Sequence, residues 1–274
     1  MSSNDAQAID AIDSEPERGG VQSVEVGMKV LRALADAGGE QNLSRIAEKA
    51  GMPSAKAHRY LVSLMRAGFV ARDSKSSRYV LGPETLRIGL VALARTDVVE
   101  IAAEEMDVLR EKISGALLLA IWGANGPTIV RWIESRRSVT VNVRPGSTMP
   151  LLRSATGQVF AAFLPDAVVM PFIEREVAEL KSQKMPVPTL AQIKSRIEHT
   201  RTTGWGHSHG DMLPGVLALA APLFNHQQEL VGVIAALGPT GFFDDTLDGP
   251  TARELKQAAN AISLRLGAPN INQP

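Results

Sequence analysis

Apolar residues recur at helical spacing through the first part of this 274-residue chain, and strand-like runs appear only further on. From Val24 to Ala37, Met28, Leu31 and Leu34 form one stripe with Val24 and Val30, which predicts a helix stopped by Gly38 and Gly39. Leu43 to Ala50 predicts a second, short helix with Ile46, Ala47 and Ala50 inward. Gly51 is placed to adopt the left-handed conformation that ends a helix. Pro53 suits the first turn of a third helix running to about Arg66. Ala57, Leu61 and Leu64 make its buried stripe, and Ser54, Lys56, Arg59 and Ser63 point outward. After Gly68, Phe69–Arg72 and Arg78–Leu81 read as strands joined by the polar turn Asp73–Ser77. Helix, turn, helix and basic-tipped hairpin is the layout of a winged helix-turn-helix, which puts its second helix into the DNA major groove.

Gly82-Pro83 opens a linker, and Glu84–Ala94 reads as a helix with Leu86, Leu90 and Leu93 on one stripe. A further helix is expected over Val98–Ile113. Strands follow at Leu117–Trp122 and Thr128–Ile133 about an Asn125-Gly126 turn, with a short one at Val139–Val143. Helices are expected over Ala155–Leu164, Asp166–Leu180 and Leu190–Thr203. Strands at Trp205–Ser208, Val216–Phe224 and Glu229–Leu237 and a helix over Thr246–Leu266 complete the pattern. The fold class is α+β: a winged helix-turn-helix, a linker helix, then an antiparallel sheet flanked by helices. The expected divisions are an acidic, disordered tail at 1–20, a DNA-binding domain at 21–82, a linker at 83–97, a sensor-like domain at 98–267 and a tail at 268–274.

Charge sharpens this division. Lys and Arg balance Asp and Glu at 29 each, so no global basic field attracts nucleic acid. Between Val21 and Gly82, however, Lys29, Arg32, Arg45, Lys49, Lys56, Arg59, Arg66, Arg72, Lys75 and Arg78 face only Glu25, Asp36, Glu40, Glu48 and Asp73. That is the local footprint of a DNA-binding domain. The absence of cysteine excludes disulfides, zinc–thiolate sites and thiol catalysis. No apolar run is long enough to span a membrane, and the acidic N-terminus is no secretory signal, so a cytoplasmic protein without a membrane partner is expected. No GxSxG, Walker A or Rossmann glycine pattern is present, and no catalytic residue or cofactor is assigned.

Three groups of residues carry candidate chemistry. Ser54, Lys56 and Arg59 sit on the groove-facing side of the third helix, where Lys and Arg donate to guanine edges or phosphates. His58 donates to phosphate or packs on the domain. Lys75 and Arg78 in the wing are placed for backbone or minor-groove contacts, and Arg45 adds a cation from the preceding helix. Ser154-Ala155-Thr156-Gly157 opens a helix, where free backbone N–H groups and two hydroxyls suit a carboxylate or phenolate, or simply cap the helix. Lastly, on a strand His207, His209 and Asp211 share one face, the makings of a metal triad. The run is similar to the HxHxDH motif of metallo-β-lactamase-like hydrolases. Met212 replaces its final histidine, and only His226 remains downstream. A solvated strand or loop edge is the better reading, and a metal-dependent hydrolase with an appended winged domain is the alternative.

Several stretches together carry a family resemblance. They are LSRIAEKAGMPSAKAHRYLVSLMRAGFV, with Ile46-Ala47, Gly51, Pro53, His58-Arg59, Leu61 and Gly68; Tyr79–Gly82; Pro150-Leu151 followed by Ser154–Gly157; and Gly204-Trp205, Pro214-Gly215, Ala220-Ala221-Pro222 and Gly238-Pro239. In order and spacing the chain resembles the IclR-type bacterial transcriptional regulators from about Val21 to Leu266. The resemblance implies a GAF-like effector-binding domain behind the winged domain. It also implies double-stranded operator DNA and a small-molecule effector as partners, and a homodimer or pair of dimers, with the linker leucines carrying dimer contacts. It implies that Ser154, Ala155 and Thr156, with Ser208, Val216, Ala218, Ala235 and Leu237, face the effector. The chain departs from the family at Ser54-Ala55-Lys56, where a basic residue and two small hydroxyl residues are common. It departs again at Leu152 and Gln158, where His and Lys are frequent. Val216 with Ala218, and Ala235 with Leu237, share strand faces by period two. Being apolar, they predict a pocket for an aromatic or other small organic acid rather than glyoxylate.

Overall fold

The structure, a computed structural model, describes residues 20–93, 96–135 and 144–269. The expected N-terminal tail, the strand at 139–143 and most of the C-terminal tail lie outside these residues. The chain separates into two compact units, Met1–Arg95 and Thr96–Pro274.

In the first unit, helices α1 (Gln22–Ala37), α2 (Leu43–Lys49) and α3 (Ser54–Arg66) precede a hairpin of β1 (Val70–Arg72) and β2 (Tyr79–Leu81), and α4 (Pro83–Leu93) follows. Val30, Leu34, Ile46, Ala50, Leu61, Leu64, Val70 and Tyr79 share one core. The buried line of α1 runs through Gly27, Val30, Ala33 and Leu34, so Val24 and Met28, predicted to be inward, are exposed. The physical reason is packing: Val30, Ala33 and Leu34 share the core with Ile46, Leu61 and Leu64 of α2 and α3, which turns that line inward.

The turn between α2 and α3 is built from short-range bonds. Asn42 Oδ1 accepts the Arg45 N–H at 2.9 Å and caps α2. Gly51 has φ 64°, and the Met52 N–H returns to Ala47 O at 3.0 Å, which closes α2 as a left-handed cap. Pro53 is extended (φ −60°, ψ 142°) and stands just before α3 rather than in its first turn. Its carbonyl accepts the Lys56 and Ala57 N–H groups, each at 3.0 Å. The wing contains one residue the sequence pattern did not reveal: Gln41, ahead of α2, exchanges backbone bonds of 2.9 and 2.8 Å with Tyr79.

The second unit comprises α5 (Val98–Lys112), β3 (Ala116–Gly123), β4 (Gly126–Ile133), α6 (Ala155–Phe163), α7 (Asp166–Ser182), α8 (Leu190–Thr203), β5 (Gly206–His209), β6 (Val216–Phe224), β7 (Leu230–Pro239) and α9 (Pro250–Arg265). Among the described residues the strands form one antiparallel sheet in the order β4-β3-β7-β6-β5. Period two divides it cleanly. Leu117, Leu119, Leu217, Leu219, Ile234 and Ala236 pack with Met106, Leu109, Leu255 and Ile262 of α5 and α9. Leu118, Ala120, Ala220, Val233, Ala235 and Leu237 pack with Val159, Phe160, Val169, Ile173 and Ile193 of α6, α7 and α8. Both faces are covered, so the strands read as near-continuous apolar runs rather than as alternation.

Several predicted boundaries move, two of them for identifiable local reasons. The two-residue turn of the β3–β4 hairpin is Ala124-Asn125, because Gly126 already pairs with Gly123. The last helix starts at Pro250, not Thr246. Asp244 Oδ1 accepts the Thr246 N–H at 3.1 Å and holds a turn there, and Pro250 supplies the favoured first helical residue.

Leu61 is fully buried in the first core. Leu61→Ala is expected to lower the opening free energy of the α1–α3 amides by about 2–5 kcal/mol, and Asn42→Ala by about 1 kcal/mol. Residue-resolved hydrogen exchange checks both. Equal effects from the two variants would contradict this placement of core and cap.

Candidate functional site

The first unit presents one face of α3 to solvent. Ala57, Leu61 and Leu64 hold the helix to the core, and at ~100° per residue Arg59 falls nearly opposite that line. Ser54, Lys56, His58 and Arg59 are all exposed, as are Arg45 on α2 and Lys75 and Arg78 in the wing. Arg66, seven residues beyond Arg59, shares its side of the helix and is also exposed. The i,i+7 spacing was the signal that would have added it to the predicted set. Lys49 serves a different purpose: its Nζ donates to Asp36 O at 2.6 Å and ties α2 to the end of α1. At the wing tip, Asp73 Oδ1 accepts the Lys75 and Ser76 N–H groups at 2.9 and 2.7 Å. These bonds, chiefly from Ser76, hold the Asp73 carboxyl below the usual carboxylate range.

In the second unit a cavity of ≈ 170 Å³ opens between the sheet and the start of α6. Its floor is two neighbouring cross-strand rows. One runs Ser208–Ala218–Leu237 across β5, β6 and β7. The other runs Ala235–Leu118–Trp132 across β7, β3 and β4. Ser154, Ala155, Thr156 and Val216 join these, with Met149, Met212 and Leu213 completing the lining. All eight residues expected to face an effector therefore surround one space. Ser154, Thr156 and Ser208 are its polar members, and among the described residues no charged side chain lines it. Leu118 and Trp132 were missed, although strand register alone puts them level with Ala235. The loop residues Met149, Met212 and Leu213 carried no periodic signal.

The roof is set by the first turn of α6. Ser154 is the helix cap: its Oγ accepts the Gly157 N–H at 2.9 Å and donates to Pro150 O at 2.6 Å. The hydroxyls of Ser154 and Ser208 are thus already committed, since Ser208 Oγ donates to Arg153 O at 3.1 Å. A side chain at Gly157 would meet Pro150 O at 2.0 Å, and one at Gly206 would meet Ala155 O at 2.0 Å. Backbone therefore packs on backbone at both places. The turn before α6 is held from below by Glu176 of α7, a buried carboxylate that accepts the Leu152 N–H at 3.0 Å and faces Arg153 Nε at 3.4 Å.

The His207–His209–Asp211 triad of the alternative reading does not form. His207 and His209 lie opposite Leu219 and Leu217 on β6 and share their face, away from the cavity. Asp211 falls beyond the strand and is exposed, because Gly210 (φ 77°) turns the chain out of the ladder. The carboxylate that reaches the histidines is Asp245, whose Oδ2 is 2.6 Å from His207 Nε2 and 3.0 Å from His209 Nε2. The hydrolase alternative loses Asp211, the acid on which its motif rested.

A winged reader of DNA followed by a small-molecule sensor unit is the class that this fold and cavity define. Residues 90–264 match the bacterial transcriptional regulator IclR C-terminal domain, and residues 23–74 match the IclR helix-turn-helix domain. The chain belongs to the IclR family of DNA-binding transcriptional regulators, with an effector-binding C-terminal domain. It is 33% identical to the glycerol operon regulatory protein of Streptomyces griseus, over 90% of this chain and 97% of that one. The crystal structure of Pseudomonas aeruginosa HmgR superposes with a TM-score of 0.80 at 40% identity, covering 90% of this chain and 99% of that one. An IclR homologue from Microbacterium hydrocarbonoxydans, solved in complex with 4-hydroxybenzoate, has the same fold at a TM-score of 0.51 and 18% identity, with 89% of this chain and 98% of that one covered.

Two outcomes follow from the site. Glu176→Ala strands the Leu152 N–H and is expected to remove about 1.5–3 kcal/mol, a charged hydrogen bond, or roughly 3–12 °C in Tm for a unit of this size. Glu176→Gln, which keeps an acceptor, should lose less than half of that; equal losses would contradict the role assigned to the carboxylate. For Asp73, a folded pKa below the ordinary value means that the wing turn is fully supported above the usual carboxylate range. That support is lost as pH falls through the lowered value. NMR amide protection at Lys75 and Ser76 should therefore persist at neutral pH and fade only in acid.

Proposed function

We propose that this chain is an operator-binding regulator whose affinity for double-stranded DNA is set by a small aromatic acid in the second unit. The observation that carries the reading is the cavity. At ≈ 170 Å³ it is small beside the roughly 300–1,000 Å³ of drug-sized sites and suits a single ring. Its Ala, Val, Leu, Met and Trp walls favour an aromatic body over a hydrated keto acid such as glyoxylate. A carboxylate or phenolate has one favourable place in it, the N-terminus of α6, where backbone N–H groups and Thr156 supply donors. The Microbacterium complex with 4-hydroxybenzoate supports aromatic acids as a chemistry compatible with this fold.

On the DNA side, Arg59, Lys56, Ser54, His58 and Arg66 of α3 read or position, Lys75 and Arg78 hold the wing against the backbone, and Arg45 adds a phosphate contact. The protein acts in the cytoplasm as a binder, without turnover. No helix among the described residues is long and apolar enough to cross a membrane. It works as a dimer or a pair of dimers. Leu86, Ile88, Leu90 and Val91 leave α4 with exposed apolar surface within its own unit, which supports α4 as a dimer contact.

Isothermal titration with aromatic acids, 4-hydroxybenzoate among them, against short keto acids tests the effector class. Binding confined to the aromatic set is expected, and tight binding of only the keto acids would sink the reading. Arg59→Ala should weaken binding to a promoter fragment by about 5- to 100-fold and leave the fold intact. An unchanged affinity would remove Arg59 from the interface.

A further inference from the structure

Two imidazoles and one carboxylate converge on the edge strand of the sheet, on the side that the cavity does not use. We propose that His207, His209 and Asp245 form a site for a divalent transition-metal ion, of which zinc is the best match. Strand period two aims both histidines to one face, and their ring centroids stand 4.6 Å apart. Asp245 arrives from the segment between β7 and α9. Its Oδ2 lies 2.6 Å from His207 Nε2 and 3.0 Å from His209 Nε2, and the ligand atoms of all three residues fall within 4.8 Å of one another. Zinc–nitrogen and zinc–oxygen bonds of about 2.0–2.2 Å put tetrahedral ligand atoms roughly 3.3 Å apart. The two oxygen–nitrogen separations need to open by about 0.3–0.7 Å to reach that geometry, and the remaining pair already lies within 4.8 Å.

The donor set and its surroundings both fit. Two neutral imidazoles with one carboxylate, and no thiolate, is a combination that zinc accepts. Without a metal, two Nε2 groups converge on one carboxylate oxygen, and the His209 side chain, 64% exposed, gains little from a solvated ion pair. A cation meets all three groups at once, and the open side of His209 leaves its fourth position to water.

The ligands are also held before any metal arrives. β5 is laddered to β6, and the His207 N–H donates to Gln158 Oε1 at 3.0 Å. The segment carrying Asp245 is anchored on one side by the buried ring of Phe243 and on the other by the Asp244–Thr246 turn.

The role that follows is structural. A bound ion clamps β5, an edge strand among the described residues, to the lead-in of α9. Ser208, between the two histidines, points the other way and lines the cavity. The ion therefore stiffens the wall on which the effector rests without touching the effector.

The test uses the full-length chain without a histidine tag, stripped by chelator, dialysed against zinc and then against metal-free buffer. Mass spectrometry of bound metal is expected to find one zinc per chain in the wild type and in His226→Ala. It should find less than a tenth of that in His209→Ala and in Asp245→Asn, with zinc raising Tm only where it is retained. His209 is exposed enough to be replaced without opening the core, and circular dichroism verifies the fold of each variant. A zinc-free wild type, or variants that keep the wild-type stoichiometry, would overturn the proposal.

Discussion

At the start of α6 two segments run closer to the helix backbone than any side chain permits. The Pro150–Arg153 turn meets Gly157, and Gly206 of β5 meets Ala155. Close packing of backbone on backbone leaves polar groups that water cannot reach, and each must find a partner. Ser154 caps the helix and binds Pro150, Glu176 takes the Leu152 N–H, and Ser208 takes the Arg153 carbonyl. The cavity is what remains between this satisfied junction and the sheet. Its polarity is low because the junction uses most of its own hydroxyls.

The same strand carries two chemistries because the pleat separates them. β5 gives Ser208 to the cavity and His207 and His209 to the opposite face, and a slip of one residue would exchange them. The register that prevents this is fixed by Leu217 and Leu219 of β6, which belong to the core under α5 and α9 and bring the two histidines to the same side. Sensing a ligand on one face of a rigid sheet and relaying it elsewhere is a matter of which states the ligand favours, not of contact along a wire. The reading unit needs only to present α3 and its wing in one conformation. Its short bonds at Asn42, Gly51, Pro53 and Gln41 provide for that.

Much of this was legible in the chain. The spacing of Ala57, Leu61 and Leu64, the Gly51-Met52-Pro53 turn and the charge reversal around them identify a winged reader. The ordered motifs downstream carry the resemblance to the IclR family, and it is that resemblance which implied the sensor unit and the eight residues found around one cavity. What escaped detection depended on long-range partners. Val24 and Met28 look as apolar as Val30, and only the packing of α1 on α2 and α3 decides which side turns inward. Asp211 is the acid near His207 and His209 in sequence, whereas Asp245 is the one near them in space. Glu176 looks like any helix-surface acid until the turn above it is seen to need an acceptor.

The central claim is that occupancy of the α6–sheet cavity changes how α3 engages DNA. Fluorescence anisotropy of a labelled promoter fragment, titrated with the chain with and without 4-hydroxybenzoate, tests it against Ala218→Leu, which fills the cavity from a half-buried floor position. The account predicts that the ligand shifts the DNA affinity of the wild type and leaves that of the filled variant unchanged. A ligand effect of equal size in both proteins would contradict it.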